Sequence, residues 1–519
     1  MIRFALILTI AVNFVAQPVV AQTTTVTLTR GPYLQMRSTT SILVRWRTDQ
    51  PADSLVQCGT QLSNLDMSFF DQVLTTEHQV LLTNLTPQTK YYYAVATSSG
   101  GLSGMDGAFV AGGTSNFFVT APPVGVARPT RIWFVSDYGF QNNGEIAVRD
   151  SYFNYTAATR PADVWLTGGD NDQNVGADAD VQNSVFGIYA PLLRNLAIWP
   201  AMGNHDTYSY SNPGPYPFFD NFSLPTNGEA GGTPSGSEHY YSYDYGDVHF
   251  ISLDSITPEL SNSTNSPMLQ WLRQDLARTT RKWKIAYWHG PPYTKGSHDS
   301  DSPYDLSARM IQMRENAVPI LESYGVDLVL CGHSHVYERS YLLYGHYGYS
   351  WEFSETNKVN GGNGRVDGTG AYQQTNGHGT VYVVAALGGS PYSFYNPTHP
   401  AHLVNISGEL GSCMVDVNDN RLDFKFINAN TNVLDHFTLI KGPPATWRIL
   451  TMNRSGTATQ LRWASIPGRY YRIYGQSELG GGWTLVADQL PSQGDTTAWS
   501  ATWNSGAKMG FFRVATCPE

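Results

Sequence analysis

The sequence predicts an α/β domain flanked by two all-β segments. Residues from about 25 to 120 contain stretches that alternate apolar and polar side chains, as at 41–46 and 89–95, which favours a small sandwich. From about 130 to 440, short apolar runs alternate with helical patterns, which predicts buried strands joined by helices. Towards the end of the chain the pattern is again all-β, with candidate strands at 460–463, 470–474 and 511–514.

Proline-rich turns mark the expected boundaries between these parts. Ala121-Pro122-Pro123 follows the first all-β segment, and Gly442-Pro443-Pro444 precedes the last one. We therefore expect an N-terminal β-sandwich at 25–121, a central α/β domain at 128–440 and a small C-terminal β-module at 443–519. A chain of 519 residues is long enough for two or three domains.

Short apolar runs in the central segment suit buried strands. They are Ile132 to Val135, Val164 to Leu166, Ile198 to Met202, His249 to Leu253, Lys284 to Trp288, Val326 to Leu330 and Val381 to Ala385. Helical patterns occur at Glu145 to Thr159, Asp178 to Leu196, Pro267 to Thr279 and Ala308 to Tyr324. Ser266 and Pro267 are a cap residue and a first-turn proline, which favours a helix start there. The Gly/Asn/Thr-rich segment from Glu355 to Gly379 is typical of a long surface loop.

The first 21 residues have the features of a secretory signal peptide. Arg3 precedes an apolar run from Phe4 to Ala16 that is too short to span a bilayer, and Val19-Val20-Ala21 offers a cleavage site. An uncleaved membrane anchor is the alternative. Because no later segment is apolar enough to span a membrane, we expect a secreted or periplasmic protein.

Charge and cysteine content limit the class of partner and scaffold. A formal net charge of -10 argues against a nucleic acid partner, because binding to a phosphate backbone needs a basic face. An acidic chain can still bind a small phosphate ester if metal ions supply the positive charge. The four cysteines, Cys58, Cys331, Cys413 and Cys517, are too few and too far apart for a disulfide scaffold, although one long-range bridge is an open alternative. Cys331 fits a buried strand end.

Five polar motifs follow apolar runs of the central segment. They are Asp137-Tyr138-Gly139, Gly169-Asp170, Gly203-Asn204-His205-Asp206, His289 and Gly332-His333-Ser334-His335. Because ligands bind outside the carboxyl ends of strands in open α/β sheets, one fold can bring these motifs to one edge. Singly, a Gly-Asp turn or a lone histidine is usually structural, but the ordered combination is that of a two-metal centre.

Two cations about 3.5–4 Å apart need a bridging ligand, and Asp170 is the best candidate. One site would then be completed by a carboxylate and an imidazole, and the other by an amide and two imidazoles: Asp137 and His335, and Asn204, His289 and His333. This mixed nitrogen and oxygen shell without thiolate suits Zn, Fe or Mn better than Ca or Mg. His333 and His335 alternate along the chain, so the loop must twist to aim each of them at a different metal.

Two further histidines are candidate catalytic residues. The metals would lower the pKa of a bridging water, making hydroxide available near neutral pH to attack the phosphate. His205 follows Asn204 and need not bind metal, so it can protonate the departing alkoxide. His298 follows in the loop after His289 and could hydrogen-bond the substrate phosphate, or it could be an exposed histidine without a role. Surface or packing roles are expected for the histidines without a spacing argument: His239, His249, His378, His399 and His402.

These motifs resemble those of the calcineurin-like metallophosphoesterases, and specifically the purple acid phosphatase branch. That branch has Asp-x-Gly first, and direct matches are Asp137-Tyr138-Gly139, Gly203-Asn204-His205-Asp206 and Gly332-His333-Ser334-His335 with Val336-Tyr337-Glu338-Arg339 after it. Upstream, Arg30-Gly31-Pro32-Tyr33-Leu34-Gln35 is similar to the family's N-terminal fibronectin-III-like domain. The resemblance covers about residues 28 to 440. It implies a four-layer central fold, in which two mixed β-sheets are flanked by helices and a dinuclear metal centre lies at one sheet edge.

The chain departs from this family pattern at Gln173. The purple enzymes have Gly-Asp-x-x-Tyr, whose tyrosine binds ferric iron and gives the colour, and Gln173 takes the place of that tyrosine. We therefore expect a colourless site in which Gln173 is a weak ligand through its carbonyl oxygen or is replaced by water. After His298 the chain has Asp299 and Asp301 where plant members have a second histidine. A carboxylate there would repel a phosphate dianion unless it sits back from the pocket.

Together these inferences predict an exported dinuclear-metal phosphoesterase that hydrolyses phosphate monoesters. A phosphodiesterase with the same metal site is one alternative, and a non-catalytic cell-surface or glycan-binding protein is another. The intact ligand set speaks against the non-catalytic alternative. Aromatic residues of the C-terminal module could form a glycan-binding face, although such residues are more often sandwich core: Trp463, Tyr470, Tyr471, Tyr474 and Trp483.

Overall fold

The computed structural model of this chain contains three successive groups of β-strands, with its helices in the middle group. It describes residues 26–97, 102–103, 109–110, 113–208, 216–374, 378–392, 398–441, 449–465, 470–477, 482–493, 496–502 and 510–516. The expected signal peptide at 1–21, the proline-rich turn at 442–444 and Cys517 lie outside these residues.

The first group builds a seven-stranded β domain. Its strands lie in the order Leu102–Ser103, Val26–Gln35, Ile42–Gly59, Lys90–Ala96 and Phe109–Val110, with Met67–Leu82 paired to Ile42–Gly59 and Phe117–Val119 paired to Lys90–Ala96. Alternate residues of the long second strand, Val44 and Trp46, face a core that also contains Tyr93. This is the alternation that predicted the strand.

The central group builds two seven-stranded mixed sheets. In spatial order, the first contains Ile198–Pro200, Val164–Thr167, Thr130–Val135, Gly411–Asn418, Arg421–Asn428, Val433–Lys441 and Tyr372–Gln374. The second contains Tyr241–Tyr245, Val248–Ser252, Trp283–Trp288, Leu328–Cys331, Val381–Ala385, Tyr337–Ser340 and His402–Ile406. A short pair, Leu342–Leu343 and Lys358–Asn360, stands apart. Three neighbouring strands of the first sheet are parallel: Ile198–Pro200, Val164–Thr167 and Thr130–Val135. Four neighbouring strands of the second sheet are also parallel: Val248–Ser252, Trp283–Trp288, Leu328–Cys331 and Val381–Ala385.

The two sheets pack face to face, and helices cover their outer faces. One core cluster joins the inner faces, with Phe134 and Phe424 from the first sheet and Phe250 from the second, and it extends over the outer face of the first sheet, where Trp133 packs against Tyr152 of a helix. A second cluster joins the outer face of the second sheet to helices through residues such as Trp288 and Leu272. The multidomain fold class, with its four-layer centre, is therefore confirmed.

Helical structure forms at all four predicted positions, and two further short helices, Pro217–Asn221 and Pro258–Ser261, were not predicted. The α-helices are Asn143–Ala157, Asp178–Val181, Ala190–Leu193, Pro217–Asn221, Pro258–Ser261, Pro267–Arg278, Arg309–Gln312 and Val318–Ser323. The π-turns are Gln182–Gly187 and Met313–Ala317, and the 3₁₀ turns are His205–Thr207, Asp305–Ala308, Ser350–Glu352 and Glu355–Asn357. The helix expected at 178–196 is interrupted at 188–189, just before Pro191, whereas the one expected at 308–324 continues from Arg309 to Ser323 through a π-turn. Pro191 and Pro319 lack the N–H that an unbroken α-helix needs, and each lies in the first turn of the α-helix that follows the irregularity. Ser266 occupies the predicted cap position, but its hydroxyl donates to Leu260 O at 2.7 Å instead of capping.

The expectation of one long surface loop at 355–379 was wrong in part. Two short strands lie within it, and Tyr372 in the second of these is fully buried. The Tyr372 ring packs against Phe437, and Arg339 Nη1 donates to its hydroxyl at 3.3 Å. This part of the segment therefore completes the first sheet, a role that its polar composition hides.

The last group forms two three-stranded sheets. They are Ile449–Ser455, Ala458–Ala464 and Thr496–Thr502, and Thr484–Pro491, Tyr470–Gln476 and Phe511–Thr516. Trp463 and Tyr471 are core residues of this module, whereas Tyr470 and Trp483 are about half exposed. The aromatic residues thus divide between packing and surface.

Two further observations on the described residues concern the state of the cysteines and the length of the apolar helices. Cys58, Cys331 and Cys413 are buried and free, and Cys331 ends a buried strand as predicted. The described helices include none that is both long and apolar enough to cross a membrane.

Candidate metal centre

The five polar motifs meet where the central strands end. Asp137 and Asp170 follow the first-sheet strands Thr130–Val135 and Val164–Thr167, and Asn204 follows Ile198–Pro200. His289 and His333 follow the second-sheet strands Trp283–Trp288 and Leu328–Cys331. Because these strands are parallel within each sheet, their carboxyl ends share one edge, and the motifs gather there.

Glycines let the backbone approach the candidate ligands closely. A Cβ atom on Gly203 would collide with the backbone nitrogen and a carboxylate oxygen of Asp170. A Cβ on Gly332 would collide with Ser136 Oγ and with the Asp137 carboxylate. Glycine is therefore required at both motif positions by contact rather than by chain flexibility.

The first cluster of donors is fully buried. Oxygen or nitrogen atoms of Asp137, Asp170 and His289 all lie within 4.8 Å of one another. His335 Nε2 lies 3.3 Å from Asp137 Oδ1, and His289 Nε2 lies 3.5 Å from Asp170 Oδ2. Asp170 thus lies close to both Asp137 and His289.

A second cluster forms around the Asn204 side-chain carbonyl. His289 Nε2 lies 2.9 Å and His333 Nδ1 lies 3.1 Å from Asn204 Oδ1. The Asn204 amide nitrogen donates to Tyr208 Oη at 2.7 Å, which keeps the carbonyl turned towards the two imidazoles. The amide and both imidazoles therefore point at one small volume.

The donor set fits divalent cations. Asp137 Oδ1 is buried and makes no well-aligned hydrogen bond, although His335 Nε2 lies 3.3 Å away. Buried carboxylate oxygens are costly to leave in this state. Burial raises the pKa of Asp170 above its ordinary value, with repulsion from Asp137 and Asp206 adding to it. Burial lowers the pKa of His289 to about 3, so this imidazole is neutral, the form that binds metal. Nearby cations would neutralise the buried carboxylates and take Asp137 Oδ1 as a ligand.

A polar pocket of about 490 Å³ opens above these donors. Its walls include Asn204, His205, His298 and His333. His205 Nδ1 lies 3.1 Å from the Asn174 carbonyl oxygen, to which it can donate, so Nε2 is the nitrogen left for a substrate. His298 uses Nδ1 in the same way towards a carboxylate, 2.9 Å from Asp305 Oδ2. Both predicted catalytic histidines therefore line the same pocket as four of the predicted ligands, Asp170, Asn204, His333 and His335.

The residues that depart from the family pattern have defined surroundings. The Gln173 amide nitrogen lies 3.4 Å from Asp170 Oδ2, beside the proposed bridging carboxylate. Asp299 is paired with Lys295, and Asp301 is paired with both Lys295, at 2.9 Å, and Arg314, at 3.0 Å. These cations offset the two acidic charges, which removes the expected repulsion of a phosphate dianion.

Two carboxylates with roles at the site had no assigned role from the sequence. Asp206 accepts from the Gly203 N–H at 2.8 Å and from the Asn171 side chain at 2.9 Å, which ties two motif loops together. Its place in Gly203-Asn204-His205-Asp206 was the available signal. Asp305 contacts His298 and His333, and its loop position carries no sequence signal.

Comparisons with known protein families agree with this geometry. Residues 130–337 match the family model described as calcineurin-like phosphoesterase. Residues 29–109 match the model described as purple acid phosphatase, N-terminal domain. The two matches cover the first β domain and the strands that carry all five motifs.

Curated relatives and solved structures give the same picture. The chain is 27% identical over 290 residues to purple acid phosphatase 15 of Arabidopsis thaliana, covering 51% of this chain and 50% of the relative. It is 26% identical over 335 residues to acid phosphatase type 7 of Mus musculus, covering 59% and 68%. The chain spans about half the length of the plant relative. A purple acid phosphatase, PPD1, from yellow lupin (Lupinus luteus) seeds has a similar fold, with a TM-score of 0.58 at 17% identity over 79% of this chain and 74% of that one.

Proposed function

We propose that this chain hydrolyses phosphate monoesters at a dinuclear metal centre. The premise is that the chain belongs to the purple acid phosphatase-like branch of the calcineurin-like phosphoesterases. The observation that carries the proposal is the convergence of buried donors from five strand ends. Asp137, Asp170 and His289 lie within 4.8 Å of one another, and His289 also contacts Asn204.

The chain's own residues divide the metal-binding work. Asp137 and His335 would hold one cation, Asn204, His289 and His333 would hold the other, and Asp170 would contribute to both. When bound, this pair supplies positive charge for the phosphate oxygens and an activated water, with Fe, Zn or Mn suited to the donors. Gln173 stays a candidate weak ligand, because its side chain lies beside Asp170.

The two pocket histidines act on the substrate. His205 is held at Nδ1 by Asn174, so the protonated ring can give its Nε2 proton to the departing alkoxide. His298 is held at Nδ1 by Asp305, so Nε2 can contact a phosphate oxygen. Each ring is therefore oriented before the substrate binds.

Export to the periplasm or the extracellular space belongs to the same proposal. It is supported by the basic start, apolar run and small-residue cleavage site within the first 21 residues. An aryl phosphate that cannot cross a membrane should be hydrolysed by intact producing cells.

The test combines metal content with activity on mono- and bis-aryl phosphates. We expect two metal ions per chain and faster hydrolysis of the monoester. Asn204→Ala and His333→Ala should each lower the monoester rate by about a hundredfold or more. The exposed Asn262 and His378 provide matched controls, and Asn262→Ala and His378→Ala should keep full activity.

Different results would point to the other functions. Full activity in Asn204→Ala and His333→Ala would exclude the dimetal assignment. A faster rate on the bis-aryl phosphate would make the protein a phosphodiesterase. Absence of bound metal and of hydrolysis would favour a non-catalytic surface protein.

A further inference from the structure

Asp305 lies in the pocket wall and contacts two of its histidines. Asp305 Oδ1 lies 3.1 Å from His333 Nε2, and Oδ2 lies 2.9 Å from His298 Nδ1. Oδ2 also accepts from the Asp299 N–H at 3.2 Å. One carboxylate therefore joins a proposed metal ligand to a proposed phosphate contact.

The contact with His333 determines which of its nitrogens can bind metal. Nδ1 faces the Asn204 carbonyl oxygen at 3.1 Å, in the volume that His289 Nε2 also faces. A carboxylate at the opposite nitrogen keeps the proton on Nε2, which leaves the Nδ1 lone pair free. The placement of Asp305 is thus that of an outer-shell partner for the His333 imidazole.

The contact with His298 uses the other carboxylate oxygen. The His298 and His333 rings lie 3.8 Å apart between centroids, with their planes 33° from each other. Because both rings are tied to the same side chain, a shift of Asp305 would move the ligand and the phosphate contact together.

The backbone after Asp305 is strained. Leu306, Ser307 and Ala308 have φ values of 42°, 51° and 65°, all in the left-handed region that non-glycine residues avoid. Such conformations persist where surrounding contacts hold them, and they cluster at functional sites. The two histidine contacts of Asp305 are interactions of this kind.

We propose that Asp305 is a positioning residue that orients His333 for metal binding and His298 for phosphate contact. This inference rests on the proposed function. It makes a double prediction, because the loss of one carboxylate should weaken one metal site and substrate binding together.

The test measures metal affinity separately from activity. In Asp305→Asn, equilibrium dialysis against zinc should show one of two sites weakened by 10–100-fold, the usual effect of an outer-shell change. At saturating zinc, KM for an aryl phosphate should still be raised severalfold, because His298 has lost its partner. Asp305→Glu keeps the charge and should recover part of both losses.

Asp299→Asn is the matched control, since it removes the same charge from the same loop. Its side chain is paired with Lys295 and not with either histidine, so zinc affinity and KM should stay at the wild-type values. Equal losses of zinc affinity and equal increases in KM in Asp299→Asn and Asp305→Asn would show that the effect comes only from the charge of the pocket. That result would overturn the proposal.

Further outcomes decide the remaining alternatives. Unchanged zinc affinity and KM in Asp305→Asn would overturn the inference while leaving the proposed function intact. Three zinc ions in the wild type and two in Asp305→Asn would also overturn it, since the atoms of His298, Asp305 and His333 would then be a cation site themselves. If Asp305→Asn does not fold, Asp305→Glu decides, because values equal to wild type there would show that its position is unimportant. A wild type without metal or activity would instead refute the proposed function.

Discussion

Three proposed metal ligands have left-handed backbone conformations. Asp137, Asp170 and His333 have φ values of 53°, 48° and 68°, which L-residues other than glycine rarely adopt. Each such residue costs about 1–2 kcal/mol, and the surrounding loops must offset that cost. At His333 the left-handed turn also provides the twist that lets His333 and His335 face different groups. The backbone conformation thus helps to set the direction of these three side chains.

His205 offers a direct test of the proposed leaving-group role. In His205→Ala, hydrolysis of alkyl phosphates should fall by about 10²–10⁴, because a poor leaving group needs a proton as its bond breaks. Activated aryl phosphates, which leave readily as anions, should lose much less. The measurement is kcat across a series of leaving groups of increasing pKa. Equal losses across the series would remove the acid role from His205.

The second sheet is fastened to its covering helix by a buried ionic contact. His249, in the strand Val248–Ser252, lies 2.7 Å from Asp244 in the neighbouring strand and 2.8 Å from Asp275 in the helix Pro267–Arg278. Burial opposes the charge on His249, but hydrogen bonds to Asp244 and Asp275 outweigh it and raise its pKa to about 9. From the sequence we expected a surface or packing role for His249, and no pattern indicated its contacts with Asp244 and Asp275.

The raised pKa of His249 predicts a pH-dependent stability. A histidine in the unfolded chain has a pKa of about 6.5. The folded state therefore binds the second ring proton of His249 more tightly than the unfolded state does. The stabilisation that comes from protonated His249 is complete below pH 6.5 and is lost as pH rises through about 9. Between pH 6 and pH 10, the free energy of unfolding should therefore fall by about 3 kcal/mol more in wild type than in His249→Gln. Urea unfolding at the two pH values measures this, with the exposed His378→Gln as control. Parallel pH curves for wild type and His249→Gln would contradict the assignment.

The first β domain is joined to the central α/β domain by buried arginines. Arg30 is almost fully buried, donates to Asn221 and Gln182, and lies 3.1 Å from Asp178. Arg45 Nη2 donates to the Asp220 carbonyl oxygen at 2.7 Å. These contacts reach the chain on both sides of the Asn204 motif, at 178 and 182 before it and at 220 and 221 after it, so the β domain supports the segment that carries the site.

Removing Arg30 should destabilise the molecule as a whole. Arg30→Ala leaves Asn221 and Gln182 without a charged donor, which should lower the free energy of unfolding by about 3 kcal/mol. Thermal unfolding followed by calorimetry, with proteolysis near the 121–127 junction as a second probe, measures the effect. The exposed Arg278, changed to Ala, is the control. An unfolding temperature equal to wild type would show that the two parts are stabilised independently.

The local sequence pattern was sufficient to predict the fold class and the order of the metal-binding residues along the chain. Buried strands are continuous apolar runs, and the residue that follows such a run must lie at a sheet edge. Asp137, Asp170, Asn204 and His289 could therefore be placed at the edge without knowing which strands are neighbours. Helix regularity was less predictable, since the helix before Pro191 is interrupted and the one that contains Pro319 includes a π-turn, although the apolar patterns continue through both.

The pairings between distant residues depend on packing that no local pattern contains. Asp305 reaches His333, Lys295 and Arg314 neutralise Asp301, and Asp275 closes on His249, each through contacts set by how loops and helices lie on the sheets. A one-dimensional pattern records which residues are polar and where strands end. It does not record which of two imidazole nitrogens faces a carboxylate, because that depends on angles and distances of a few ångströms between separate elements. The chemistry of the centre could thus be inferred from the chain, whereas its orientation and support arise only in the folded molecule.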